Sequence, residues 1–509
     1  MNPVRVRFAP SPTGALHIGG VRTALYNYLL AKKTGGTMIL RIEDTDQTRF
    51  VPGAEDFIID SLKWAGIKID EGVSVGGPHA PYRQSERKPI YKKYAQQLLD
   101  AGHAYYAFDT EDDLNAMRDR LKAAGSSSQQ YDSSTRMSMK NSLMLDAQEV
   151  QKKLSAGEPY VIRAKLPANE EVSLNDLIRG TVSVNSSLLD DKVLMKSDGM
   201  PTYHLANVVD DYEMKITHVI RGEEWLPSAP LHVLLYRFLG WESLRPQFAH
   251  LPLLLKPDGN GKLSKRDADK MGFPIFPLSW TDPNTGEQST GYKEAGYLSD
   301  ALVNFLAFLG WNPGTEQEIF SMQQLIDAFT IERIGKAGAK FDIQKAQWFN
   351  QQYLKAKSNA ELAEFLLVDL KQEGIACTQE KAEKVCQAMR ERITFPKDIW
   401  QNGKFFFNAP TFFDEQTLAK KWSADGFSVL AAFSSKLSEK ATISSDEAKA
   451  LLESVCASLN IGAGKIMQVL RISLTGGAAG PDLMLTIEII GPKEASLRLQ
   501  NFVQGHPVK

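Results

Sequence analysis

Cysteine is scarce: the 509 residues contain three, Cys377, Cys386 and Cys456, all in the last third of the chain. An odd count without the paired spacing of a metal knuckle argues against a disulfide framework or a thiolate site, so the three are read as reduced, small apolar residues of a core. Long apolar runs are also missing, and none approaches the ~20 residues that cross a bilayer. The opening residues Met1-Asn2-Pro3-Val4-Arg5-Val6-Arg7-Phe8 alternate like a strand and lack the apolar stretch of a secretory signal. A cytoplasmic protein with no membrane partner is expected. Neither sign of charge dominates, with 59 Lys and Arg against 61 Asp and Glu and a net charge of −2. Binding to nucleic acid therefore has to rest on a local basic face, because global attraction is absent. No internal repeat or disordered tail is evident.

What is present is an ordinary globular composition, 43% hydrophobic and 24% charged, in a chain too long for one core; about three or four folded units are expected. Val4, Val6 and Phe8 alternate as a short strand. Pro10-Ser11-Pro12-Thr13-Gly14 cannot extend it, and Val21, Ala24, Leu25, Tyr28 and Leu29 then recur at helical spacing up to Gly35-Gly36. Residues 38–42 read as a second strand. This β-α-β unit belongs to the α/β, doubly wound parallel-sheet (Rossmann-like) class, in which ligands gather at the carboxyl ends of strands. A helix is predicted over 85–101, capped by Ser85 and stopped by Gly102. From there to about Lys192 the pattern weakens around Gly125-Ser126-Ser127-Ser128-Gln129-Gln130, as in an inserted domain. The parallel sheet is predicted to resume at Val193-Leu194-Met195, followed by a helix around 205–209 and a strand at 217–220. Beyond about Ala346 the spacing is nearly all helical, up to a short apolar stretch at 483–490.

Two constellations carry chemistry. Pro10-Ser11-Pro12-Thr13-Gly14-Ala15-Leu16-His17-Ile18-Gly19-Gly20 lies between the first strand and helix. Its small residues let a nucleotide approach the backbone, the helix N-terminus favours phosphate, and His17 can donate to a triphosphate. Lys262-Leu263-Ser264-Lys265-Arg266 follows the turn Pro257-Asp258-Gly259-Asn260-Gly261. Two lysines on a mobile, glycine-flanked loop can neutralise charge on a transferring nucleotidyl group. Each alone has a bland reading, a turn with a structural His for the first and a solvated surface run for the second.

Together the two resemble the signatures of the class I aminoacyl-tRNA synthetases, a His-Ile-Gly-His type and a Lys-Met-Ser-Lys-Ser type. The departures at Gly20 and Arg266 are similar to those tolerated in the glutamate-specific, bacterial-type branch. Arg41-Ile42-Glu43-Asp44-Thr45-Asp46, Pro81-Tyr82-Arg83-Gln84-Ser85-Glu86-Arg87, Pro201-Thr202-Tyr203-His204-Leu205-Ala206-Asn207-Val208-Val209-Asp210-Asp211 and Val219-Ile220-Arg221-Gly222-Glu223-Glu224-Trp225 resemble the same branch. Gly464-Lys465-Ile466-Met467-Gln468-Val469-Leu470-Arg471 resembles its anticodon-binding end. The resemblance spans essentially the whole chain. It implies a catalytic domain in two halves, 1–102 and 193–255, split by an α+β acceptor-binding insertion at 103–192. A stem-contact region at 256–345 and an all-α anticodon-binding domain at 346–509 complete the expected layout.

The implied reaction is ATP-dependent attachment of L-glutamate to tRNA(Glu) through a glutamyl-adenylate, releasing AMP and pyrophosphate. ATP, Mg²⁺, glutamate and the tRNA are the expected ligands, and a monomer the expected state. Arg7 and Arg221, each ending a strand, are two guanidinium groups placed where such a sheet collects anions; taken singly, each reads equally as half of an internal ion pair. The resemblance makes Arg7, Arg221 and Tyr203 partners for the carboxylates of glutamate, with Ala9, Ser11 and Asn207 nearby and Glu43 for the ammonium group. It makes Thr13, His17, Gly19, Gly20, Lys262, Ser264 and Lys265 the ATP site, with His17, Lys262 and Lys265 catalytic. In the helical half Arg390 and Arg392, followed by Phe395, are candidates for reading an anticodon base.

A glutamine-specific ligase has Phe-Asp-Asp-Thr-Asn-Pro where this chain has Ile42-Glu43-Asp44-Thr45-Asp46-Gln47, and short tRNA-modifying paralogues lack the helical half. A small-molecule nucleotidyltransferase shares the first signature and an RNA-binding module the helical end; neither accounts for both signatures. No function is assigned to 271–290, an apparent insertion after the lysine motif. Some relatives carry a Cys/His zinc knuckle in the inserted domain, but here no cysteine precedes Cys377, and Tyr105, Phe108 and Tyr131 occupy the region. Metal analysis of the purified, mildly chelated protein should find no stoichiometric zinc; a one-to-one signal would contradict this.

Overall fold

The computed structural model describes residues 3–507. The chain divides into two compact units, Met1–Ala346 and Gln347–Lys509. The first opens with β1 (Arg5–Phe8), α1 (Ile18–Lys33), β2 (Thr37–Leu40), α2 (Ala54–Trp64), β3 (Glu71–Gly72) and α3 (Lys88–Asp100). β1, β2 and β3 pair in that order and in parallel, with Arg5 opposite Thr37 and Ile39 opposite Glu71. Helix α1 forms where the sequence repeats apolar residues at helical spacing, and Val21, Ala24, Leu25 and Leu29 are buried. Burial of each large aliphatic side chain contributes about 1.5–3 kcal/mol.

Next come β4 (Ala104–Ala107), α4 (Glu111–Ala123), α5 (Ala147–Ser155), β5 (Val161–Ala164), β6 (Glu171–Asp176), β7 (Gly180–Asn185) and β8 (Val193–Met195). β4, β5 and β8 make an antiparallel sheet of their own. Tyr105, Met117, Tyr131 and Met139 form its small core, and the Tyr105 hydroxyl donates to Asp191 at 2.7 Å.

The unit continues with α6 (Tyr203–Glu213), β9 (His218–Gly222), α7 (Ala229–Phe238), β10 (Gln247–Leu251) and, after the lysine motif, α8 (Lys265–Met271). β7, β6, β10 and β9 form a second sheet in which β6, β10 and β9 run parallel. The Thr217 N–H donates to the Arg5 carbonyl at 2.9 Å, so β9 lies against β1. Strands β3, β2 and β1 thus lead to one side and β9, β10 and β6 to the other. The strand order reverses between β1 and β9, which in an open α/β sheet opens a crevice at the carboxyl ends.

Three expectations need correction. The parallel sheet does not resume at Val193: β8 pairs antiparallel with β5, and a run of three apolar residues carries no alternation that distinguishes the two settings. The helix predicted from Ser85 begins at Lys88 after a 3-10 turn, and no side chain caps it; Pro89 sits in its first turn, and the Ser85 N–H donates to Asp44 at 2.8 Å. Lys265 is not on a loop. It is the first residue of α8, whose N-cap Ser264 accepts from the Asp267 N–H while the Asp267 side chain accepts back from the Ser264 N–H.

The second unit is helical, without a strand among the described residues. The apolar stretch at its end is a helix, Leu483–Ile490, capped by Asp482. Cys386 and Cys456 are buried free thiols.

Candidate active site

Beneath the crevice lies a buried ion network. Arg41, wholly buried after β2, donates to Asp211 at 2.9 Å and to Glu43 at 3.1 Å and stands 3.8 Å from Asp210. Arg7 on β1 donates to Asp211 at 3.1 Å and Arg87 to Asp210 at 2.8 Å. Asp210 also accepts from Gln84 at 2.9 Å and from the Tyr91 hydroxyl at 2.8 Å. Burial pushes the Glu43 and Asp210 carboxyls up despite Arg41 beside both, whereas for Asp211 the opposing pull of Arg7 and Arg41 outweighs burial and the net shift is down. Burying any of these charges costs several kcal/mol unless it is paired, so the network ties β1, β2 and α6 into one geometry.

A cavity of about 560 Å³ opens above it. Arg7, Ala9, Ser11, Glu43, Tyr203, Asn207 and Arg221 all line it, as do Thr13, His17, Gly19 and Gly20. Lys262 lines a small adjoining cleft with His17 and Glu224, and its ammonium lies 3.4 Å from the Glu224 carboxylate. Ser264 and Lys265 line neither. The Lys265 ammonium is 2.8 Å from Glu287, which belongs to the stretch that the sequence left unassigned. There Trp280–Thr281 and Gln288–Ser289 pair as a short hairpin, Phe276 and Trp280 pack on Phe57 of α2, and the Ile275 carbonyl accepts from the Ile18 N–H at 2.9 Å. The insertion is therefore bound to the start of α1 and to the lysine motif at once. A separate cavity of about 450 Å³, lined by His103, Arg136, Lys165 and Arg237, lies apart from this crevice, and Asp191 and Glu170 already occupy its two arginines.

His17 caps α1: its Nδ1 accepts from the Gly19 N–H at 3.0 Å. A Cβ at position 19 would come within 2.7 Å of the imidazole ring, which explains the glycine. The ring is exposed to the cavity, and desolvation by the surrounding protein, then Lys262, lower its pKa. It is neutral. With Nδ1 accepting, the proton sits on Nε2, a donor at the end of a helix that favours anions.

Arg221 differs from every arginine in the network. It is 5% exposed, yet no carboxylate lies within ion-pair distance among the described residues. Its Nε donates to His250 Nε2 at 3.0 Å, one Nη to the Tyr203 hydroxyl at 2.7 Å and the other to the Trp225 carbonyl at 3.4 Å, all neutral acceptors. Tyr203 packs on Trp225 with ring centroids 4.3 Å apart and planes tilted by 35°. A buried guanidinium without a counter-ion, at a cavity wall, is a place for a ligand anion. Arg7, by contrast, has two of its nitrogens on Asp211.

The sequence reading missed Arg49, Glu224 and Trp225 as cavity residues and His250 and Asp176 behind Arg221. Glu224 and Trp225 lie in a quoted motif, and their positions just after β9 could have marked them. Nothing in the sequence marks His250. In the second unit Arg390 donates to the Lys355 carbonyl at 2.7 Å and to Asn359 at 2.6 Å, while Arg392 is exposed with no bonded partner among the described residues. Arg392 is close enough to lower the Arg471 pKa, although burial is the larger cause of that shift.

The contrast between the arginines predicts stability. Arg41→Leu, which strands buried carboxylates, should lower unfolding free energy by about 3–5 kcal/mol in denaturant melts, and Arg221→Met should cost clearly less. Equal losses would contradict the charge assignment.

The comparisons with known proteins agree with this geometry. Residues 3–348 match the family model of tRNA synthetases class I (E and Q), catalytic domain, and residues 357–503 match an anticodon binding domain. A glutamate–tRNA ligase of Cytophaga hutchinsonii is 60% identical over 498 residues, covering 98% of this chain and 96% of the relative. One from Amoebophilus asiaticus is 60% identical over 501 residues, covering 98% and 97%. The crystal structure of a glutamate tRNA ligase from Elizabethkingia meningosepticum in complex with its amino acid superposes with a TM-score of 0.95 at 50% identity over 99% of each chain. A glutamate–tRNA synthetase structure from Elizabethkingia anophelis gives 0.92 at 50% identity, covering 99% of this chain and all of the other. With a catalytic-domain match over most of its length and relatives this similar end to end, the chain belongs to the class I tRNA synthetases of the E and Q family.

Proposed function

We propose that the protein is a glutamate–tRNA ligase that joins L-glutamate to tRNA(Glu) in two steps. The observation that carries the substrate choice is Arg221, a buried guanidinium at the cavity wall held by neutral acceptors alone. A side-chain carboxylate neutralises it and the amide of glutamine does not, so the site favours the acid. Arg7 faces the same ligand, with Ala9, Ser11, Tyr203 and Asn207 as neighbours. The ammonium group goes to Glu43, whose carboxylate already accepts from Arg41 and Asn207.

In the first step the α-carboxylate of glutamate attacks the α-phosphorus of ATP and pyrophosphate leaves. His17 donates from Nε2 to the triphosphate, Thr13, Gly19 and Gly20 let the nucleotide approach the backbone, and Lys262 stabilises the developing charge. Lys265 joins it by exchanging Glu287 for phosphate, and Ser264 fixes the turn between the two lysines. Mg²⁺ bound with the triphosphate would screen its charge, and Glu224, whose ion-pair partner among the described residues is Lys262, would be the carboxylate beside it. In the second step a terminal ribose hydroxyl of the tRNA attacks the activated carbonyl and displaces AMP, with positioning supplying most of the rate. The antiparallel sheet of β4, β5 and β8 with its helices is assigned to the acceptor end, and 256–345 to the stem.

Pyrophosphate exchange tests this directly. It should require glutamate and tRNA(Glu) and should fall about 10²–10³-fold in Lys265→Ala, the loss typical of one preorganised charge. Exchange supported equally by glutamine, or unaffected by the substitution, would refute the assignment.

The anticodon reader in the helical unit is Arg392 and not Arg390, because Arg390 is occupied by Lys355 and Asn359. Arg392→Ala should cost about 1–3 kcal/mol in charging and relax preference at one anticodon position of altered transcripts. Arg390→Ala should leave that preference intact; the reverse pattern would exchange the roles.

A further inference from the structure

Arg221 is aimed by an arrangement that crosses three strands. His250 on β10 stands directly opposite Arg221 on β9, and Asp176 ends β6 on the other side of β10. Asp176 Oδ2 lies 2.6 Å from His250 Nδ1, and His250 Nε2 accepts from Arg221 Nε at 3.0 Å. Asp176 is 2% exposed and His250 fully buried. The Asp176 carboxylate is itself pinned, its Oδ1 accepting from the Ile178 and Arg179 N–H groups at 2.9 and 2.8 Å. The protons follow from the donors. Arginine Nε always donates, so His250 Nε2 has to accept, the ring proton has to sit on Nδ1, and that N–H donates to Asp176.

We propose that Asp176 and His250 are positioning residues that orient Arg221 for a side-chain carboxylate without neutralising it, and so help to set the preference for glutamate over glutamine. The inference rests on the reading of Arg221 given above. A carboxylate in direct contact, as Asp211 is with Arg7, would fix a guanidinium equally well but would fill its charge. The imidazole between Asp176 and Arg221 transmits direction and tautomer while keeping the anion a ring's width away. Tyr203 and the Trp225 carbonyl complete a neutral cradle.

Steady-state glutamylation of tRNA(Glu) by the full chain tests this. His250→Leu should raise KM for glutamate about 10- to 100-fold, the loss of a hydrogen bond to a charged group, narrow the glutamate-to-glutamine ratio, and leave KM for ATP and tRNA in place. His250→Gln, whose amide offers one acceptor and one donor, should restore most of the loss. Asp176→Asn lets an amide N–H face Nδ1, moves the ring proton to Nε2 against Arg221, and should resemble His250→Leu in a side chain of unchanged size. If His250→Leu does not fold, these two variants carry the test. An Arg221→Gln enzyme that loses glutamate while Asp176→Asn and His250→Leu keep wild-type KM and selectivity overturns the proposal and leaves the reading of Arg221 standing. KM values for all three substrates rising together, or a His250→Gln enzyme as impaired as His250→Leu, also overturn it. An Arg221→Gln enzyme with unaltered KM for glutamate overturns the underlying reading, and the proposal with it.

Discussion

The Arg41 guanidinium, fully buried and held by Asp211, Glu43 and Asp210, is the constraint on which the site depends. Three arginines and three carboxylates make up the network, so it is neutral as a whole, and no member can leave without stranding a buried charge. It lies where β1, β2 and α6 meet. β1 carries Arg7, the segment just after β2 carries Glu43, and α6 carries Tyr203 and Asn207, so fixing their mutual position also fixes the floor of the cavity. Such a network earns little net stability against an apolar core of equal volume; its effect is to leave one geometry available.

That neutrality gives the remaining charges their meaning. Arg221 stands outside the network, aimed by groups without charge, at the end of the strand across the crevice from β1. At the end of the cavity proposed for the nucleotide, the His17 pKa is lowered by desolvation and by Lys262, and its proton is directed to the nitrogen that α1 does not use. The lysine motif is divided: Lys262 adjoins the cavity, while Lys265 opens a helix and is paired with Glu287 on the hairpin. On the proposed reading, the cavity has a fixed cation, Arg221, at its amino-acid end, and adjustable lysines stand beside its phosphate end, as a reaction needs when charge develops only at phosphorus.

Much of this was legible in the sequence, and the gaps have physical causes. Alternation at Val4, Val6 and Phe8 and helical spacing from Val21 to Leu29 identify β1 and α1, and the two strand-ending arginines follow from the fold class. The pairing partner of β8 does not, because Val193-Leu194-Met195 suits either a parallel or an antiparallel neighbour. The start of α3 is set by Pro89, where Ser85 offered the more familiar cap. Glycines before Lys262 suggested a loop, but the reciprocal bonds of Ser264 and Asp267 begin a helix at Lys265. Asp176 and His250 could not be linked to Arg221 from spacing, because the three come together through strand order alone. Arg390 and Arg392 are equivalent in sequence and differ only in what the folded helices offer each to bond.

The most direct measurement is the electron density of L-glutamate in crystals of this protein. The account predicts the side-chain carboxylate at about 2.7–2.9 Å from the Arg221 guanidinium, with His250 still accepting at Nε. A glutamate whose side-chain carboxylate lies away from Arg221, or an Arg221 turned onto a protein carboxylate, would contradict it.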